Sequence, residues 1–302
     1  MIIRTERDRG IIALILNATI VSLMGVYIRY LNEGFSVLQQ VYLRIFLAFL
    51  FGLLLFYKDL DFLKLRKISR NEWLLLVFRS ICLYLIGVTY FTKAVILTKL
   101  SNVLFIQAFP ITAILGFIIL KERFTLEKTL LIIISFLGIV LVSVKDYSGI
   151  LTMGRGEVLA LFSIIAISIT YVTRKMHSGL LNDKEITLIM FLIAFISVFL
   201  LSVFTGEDLM SIKMSMNLFL LLIIAGFSNT LLIFLLNFGF KRVQAVLANT
   251  ILNLEALFGI FVGFFFLKEL IAVKELFGGV LIVVSAVVMN QLVKSENRSL
   301  ST

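Results

Sequence analysis

Three ionisable side chains stand deep inside apolar sequence: Arg44 in YLRIF, Arg79 in FRSICLY and Glu255 in ILNLEALFG. A charged group held in apolar surroundings costs several kcal/mol, so each one is a candidate for binding chemistry. An arginine there offers a rigid fork of donors to a carboxylate or another anion. Glu255 could receive an ammonium group or carry a proton. The competing reading is that these groups pair with one another or with backbone carbonyls and hold helices together. Amides are dense nearby: Asn229, Asn237, Gln244, Asn249 and Asn253 follow one another closely, with Asn249 and Asn253 four apart on one helix face. Such amides can tie helices at about 1 kcal/mol each or line a wet cavity. Their number exceeds what tying needs, so cavity lining is expected. In the first half Asn17, Ser22, Gln39, Gln40, Tyr84, Tyr90, Asn102 and Gln107 are the corresponding candidates, each weaker taken singly. Tyr27, Tyr90 and Tyr171 could stack on a planar solute.

Other chemistries find little support. One histidine (His177) and one cysteine (Cys82) leave no multi-thiolate metal site, no internal disulfide and no evident hydrolase set. There is no glycine loop to cradle phosphates, so ATP-driven work by this chain alone is not expected. We expect no metal, no cofactor and no enzymatic activity. The net charge of +10 does not gather into one stripe, which argues against nucleic acid as a partner.

The elements that must position these residues are set by the apolar runs. Sixty-one per cent of the 302 residues are hydrophobic, and the runs are about twenty residues long. At about 1.5 Å per residue such a run crosses a hydrocarbon layer of roughly 30 Å. Because lipid offers no hydrogen bonds, only helices or a closed barrel can cross it. The runs are apolar on all sides, unlike the alternating strands of a barrel, so the fold class expected is all-α and polytopic. Ten spans are read: 10–31, 36–57, 72–95, 100–120, 127–145, 156–177, 184–205, 217–240, 243–267 and 272–292. Lysine and arginine fall more than twice as often in the junctions on the side of the two termini. That bias places both termini in the cytoplasm, and the membrane expected is the inner one. Pro110 predicts a kink or an unwound turn in the fourth span. Gly259 and Gly263, four apart, predict a close helix approach.

The two halves resemble each other. GFIILKERFT (116–125) matches GFFFLKELIA (263–272), with Gly116/Gly263, Phe117/Phe264, Leu120/Leu267, Lys121/Lys268 and Glu122/Glu269 in register. Two units of five helices follow, over 10–147 and 154–292. Five is odd, so the second unit must be inverted in the membrane. Glu122 and Glu269 lie at helix ends, and we expect them to anchor the boundary rather than touch a solute.

A chain of this length, with each half ending its fourth helix in Gly, four apolar residues and Lys-Glu, resembles the drug/metabolite transporter superfamily, in its EamA-type branch. The segment TYFTKAVILTKLSNVLFIQAFPITAILGFIILKE carries the likeness most closely, and Arg44 and Arg79 resemble arginines of that branch. The second half departs from it: Glu255-Ala256 stands where the branch usually has Glu-Pro. The resemblance implies ten helices as two inverted repeats and a secondary transporter working by alternating access. The solute expected is a small polar organic metabolite, amino-acid-like or vitamin-like, with riboflavin and S-adenosylmethionine as examples. Export of amino acids or drugs is the alternative, and a membrane-embedded enzyme a weaker one. The partners expected are that solute and the lipid bilayer, with the chain a monomer or a homodimer. Substrate contacts are expected from Arg44, Arg79, Tyr90, Asn102, Gln107, Asn229, Asn249, Asn253 and Glu255.

Overall fold

Apolar runs of span length do form helices, and several start where a polar side chain satisfies their first backbone donors. The computed structural model describes residues 5–143, 154–207, 214–267 and 271–299. Lys268 and Glu269 of the second repeat motif lie outside the described residues. Among the described residues ten helices are long and apolar enough to cross a membrane: α1 (Glu6–Leu31), α2 (Val37–Asp59), α3 (Arg70–Leu97), α4 (Asn102–Ile119), α5 (Leu126–Ser143), α6 (Arg155–Met176), α7 (Asp183–Phe204), α8 (Met216–Arg242), α9 (Ala245–Val262) and α10 (Val273–Glu296). The chain is a multi-pass membrane protein. Capping boxes open three of them, at Thr5 with Asp8, Ser36 with Gln39 and Asn182 with Glu185. The first box carries α1 four residues further toward the N-terminus than the hydrophobic run suggests.

Packing between the halves obeys one pseudo-twofold rule. α5 runs along α10 and α2 along α7. α1 packs on α8 and α9, just as α6 packs on α3 and α4, and α4 meets α9. The fold is therefore two five-helix repeats of inverted topology. Close approach is set by glycines other than the sequence pair. A Cβ on Gly138 would stand 2.7 Å from the Gly278 carbonyl oxygen, so α5 and α10 touch backbone to backbone. Gly259 corrects the sequence expectation: nothing lies within 4 Å of where its Cβ would be.

Three spans are irregular. α3 carries wide π turns over Ile81–Val88, whose loosened Tyr84 carbonyl accepts the Thr89 hydroxyl at 2.8 Å. α4 is interrupted between Gln107 and Ile111, at Pro110. α9 is interrupted between Leu252 and Leu254, at Asn253, without any proline. Non-helical backbone at this depth is tolerated where it is buried in protein or borders a wet cavity.

One face of the bundle is tied shut, the face where the start of α1 meets the end of α10. Arg7 donates to the Asn290 carbonyl at 2.8 Å, and Lys128 pairs with Glu296 at 2.8 Å. Arg242 bridges Glu6 (2.8 Å) and Asp183 (2.7 Å), and Asp183 also pairs with Arg174. Deeper in, Arg79 donates to the Thr170 carbonyl (3.1 Å) and Asn237 Oδ1 (2.8 Å), and lies 2.9 Å from His177 Nε2. His177 Nδ1 meets Glu72 at 2.6 Å. Burial and the neighbouring Arg79 and Arg174 cations lower the His177 pKa to about 4, against the pull of Glu72. The imidazole is thus neutral at pH 7.

Two outcomes follow. Gly138→Val forces α5 from α10, and overpacking of this kind costs about 1–3 kcal/mol, so the thermal midpoint in detergent should fall by roughly 3–10 °C. His177 binds a proton more weakly folded than unfolded, so stability is lost as pH falls below its ordinary value of about 6.5. At pH 5 the loss is on the order of 2 kcal/mol. A pH series of thermal midpoints should slope downward from pH 7 to 5, and His177→Gln should flatten it.

Candidate functional site

Between the halves lies a cavity of about 400 Å³. Its walls come from both repeats: Arg44 of α2 and Tyr84 of α3 on one side, Tyr171 of α6, Asn229 of α8 and Glu255 of α9 on the other. Gln107, at the interruption of α4, and Gly259 of α9 also line it. The glycine leaves space there rather than filling a helix contact. Arg29 and Lys99, both exposed, line the end of the cavity away from the tied face.

The polar groups at depth are arranged in a row. Arg44 is held by its own helix, with Nε donating to the Gln40 carbonyl at 3.0 Å, and by Nη2 donating to Thr92 Oγ1 at 3.2 Å. The Arg44 guanidinium faces Tyr84, Tyr84 neighbours Tyr171 and Asn229, and Tyr171 faces Glu255. Arg44 and Glu255 both line the cavity, and no ion pair joins them among the described residues. Two polar atoms here lack a partner: the Tyr84 hydroxyl and Ser143 Oγ are buried with no hydrogen bond. Buried polar atoms without partners are uncommon, and around a cavity they mark a place for water or a polar ligand.

Of the nine residues expected from sequence, the cavity gathers four: Arg44, Gln107, Asn229 and Glu255. The others stand elsewhere. Arg79 belongs to the tied face. Asn102 donates to Glu157 Oε1 at 3.0 Å, where Thr98 also bonds that carboxylate, near the start of α6. Asn253 donates to Ser135 Oγ of α5 at 2.8 Å. Asn249 is buried in the first part of α9, and Tyr90 is half-buried on α3; neither lines the cavity.

Sequence reasoning ranked Tyr84 and Tyr171 below the amides, though they form the centre of the row. Tyr84 lies in the π segment of α3 and Tyr171 in the regular helix α6, and an inward register does not show as a polarity pattern. Glu122 anchors the boundary in a specific way. It accepts the Ala245 and Val246 backbone N–H groups at 2.6 and 3.1 Å and pairs with Lys175 at 3.0 Å, so the first repeat caps the start of α9 in the second. Lys121 makes room for this by taking a positive φ of 52°.

Comparison with known proteins agrees with this architecture. A solved structure described only as "Crystal structure of protein" is similar, with a TM-score of 0.75 at 14% identity over 96% of this chain and 98% of that one. At that identity the likeness shows the fold alone. No curated protein matches. The model of the EamA-like transporter family matches twice, over residues 8–144 and 154–291. Two copies of it account for nearly the whole chain, which is a member of the EamA-like transporter family.

Proposed function

We propose that this chain is a secondary transporter that moves a small polar organic metabolite by alternating access of the cavity between its two inverted halves. The observation that carries the reading is a space between the halves whose walls join Arg44 of one repeat to Glu255 of the other. A solute held by both is held by both halves, so a rocking motion of one half on the other acts directly on the site. With the face of the termini tied shut by Arg242, Arg174, Arg79 and their partners, the conformation described is the one open away from the termini. The lysine and arginine bias supports a cytoplasmic location for that tied face, in the inner membrane.

The chemistry of the row favours a solute with an anionic group for Arg44, a cationic or donor group for Glu255, and a flat apolar body for Tyr84 and Tyr171. S-adenosylmethionine carries all three, riboflavin the flat body and polar rim, and a simple amino acid the two charges. A volume of about 400 Å³ accommodates each of them.

Purified protein in liposomes, tested with labelled amino acids, riboflavin and S-adenosylmethionine, should show saturable flux for one of them. Arg44→Ala and Glu255→Gln should each lower that flux by at least about tenfold, the worth of one charge-assisted hydrogen bond. Gly259→Leu should block it by filling the cavity while leaving the thermal midpoint within about 3 °C of wild type, since nothing packs at that position. Turnover of a solute without flux would contradict the transport reading.

A further inference from the structure

Glu255 differs from every other described carboxylate that is at least partly buried. Glu72 has His177 and the Ser178 N–H, Glu122 has Lys175 and two backbone donors, and Glu157 has Thr98 and Asn102. Asp183 has two arginines, Glu185 has Lys64, Glu207 has Ser36 and Ser202, and Glu275 accepts the Ala272 N–H. Asp8 and Glu296 are likewise bonded, to Thr5 and Lys128. Glu255 makes no hydrogen bond and no ion pair among the described residues, yet it sits on the half-helix that follows the interruption of α9.

The surroundings supply no permanent counter-charge. Of the helices around the cavity, α1 and the segment before α4 bring Arg29 and Lys99, exposed at its open end. α10 brings Glu275, already bonded, and α6 brings the Tyr171 hydroxyl, which is neutral. α2 brings Arg44, which faces Tyr84 instead, and α5 and α8 bring only Ser143 and Asn229. An ionised carboxylate left alone in such a place is costly, and the cost is largest when the cavity closes on both sides during the return of the empty carrier. A metal ion would need a cage of oxygen ligands. No group of three or more metal-binding side chains occurs among the described residues. A proton needs only the carboxylate itself.

From this we infer that Glu255 is the coupling site of the transporter: it holds a proton when the cavity is empty and releases it to water when the cationic group of the solute takes its place. This rests on the transport reading and adds its energy source. Because one carboxylate serves both, proton and solute exclude each other, and they cross in opposite directions. The proton leaves Glu255 as the ammonium or sulfonium arrives, so the charge at the site is balanced in both half-cycles.

Two measurements decide it, and the first requires no solute. Protein in lipid nanodiscs is treated with N,N′-dicyclohexylcarbodiimide, which adds a protonated carboxylic acid across its N=C bond, the proton passing to nitrogen. Mass spectrometry should locate the adduct at Glu255, falling at least about tenfold between pH 6 and pH 9 as the proton leaves. An absent adduct at every pH, or one that does not change with pH, overturns the inference. Second, proteoliposomes enclosing a pH-sensitive dye are given a gradient of each amino acid, riboflavin or S-adenosylmethionine in turn. The solute that moves should drive an opposite pH change, kept in part by Glu255→Asp and lost in Glu255→Gln whose thermal midpoint is unchanged. Labelled solute crossing with no pH change overturns proton coupling and leaves transport standing. If none of the panel crosses, the transport reading fails, and the inference that depends on it falls as well.

Discussion

The hydrocarbon layer cannot hydrogen-bond, and the whole structure answers that constraint. It forces the chain into helices, and it forces nearly every buried charge to find a partner. Most of the polar side chains that survive inside this bundle obey it: Arg79, Arg174, Asp183, Glu72 and Lys128 are all bonded, several times over in some cases. Some of the exceptions border the cavity, and others stand elsewhere in the bundle. The Tyr84 hydroxyl and Ser143 Oγ line the cavity without a partner, whereas the unmatched atoms of Arg7, Asn17, Gln40, Arg174 and Gln244 do not line it. What sets the cavity apart is Glu255, a carboxylate that makes no hydrogen bond or ion pair among the described residues.

Inversion of the repeats gives the site its two-sidedness. At the tied face, Glu122 of the first repeat closes the start of α9 in the second, so the halves are joined by a helix cap as well as by ion pairs. The caps and salt bridges there are numerous and mostly buried. By contrast, the α5–α10 contact through Gly138 and Gly278 is backbone against backbone. A contact of that kind leaves no room for a side chain between the two helices.

Much of this was legible in the sequence. Ten spans, the duplication and the inversion followed from run length, the odd number of helices per unit and the GFIILKERFT/GFFFLKELIA match, because lipid leaves so few alternatives. Arg44 and Glu255 were legible too, since charge in apolar sequence is a strong signal. Register was harder to read. Arg79 and Arg44 look alike in sequence, yet only the structure shows one bonded on every side and the other facing open space. Asn102 and Asn253 are polar enough to line a cavity but are consumed by Glu157 and Ser135, which come from other helices. Gly259 carried a packing signature and turned out to border empty volume. The interruption at Asn253 has no proline to announce it.

The account stands on an aqueous space between the halves that opens away from the termini. Its most direct test is reaction of Gly259→Cys, placed in a Cys82→Ser background, with a charged thiol reagent that cannot cross the bilayer. Reaction from the side opposite the termini, at a rate at least about tenfold above that of a lipid-facing Phe265→Cys, is the result expected. A cysteine at position 259 that reacts no faster than the lipid-facing one, or only from the side of the termini, would contradict it.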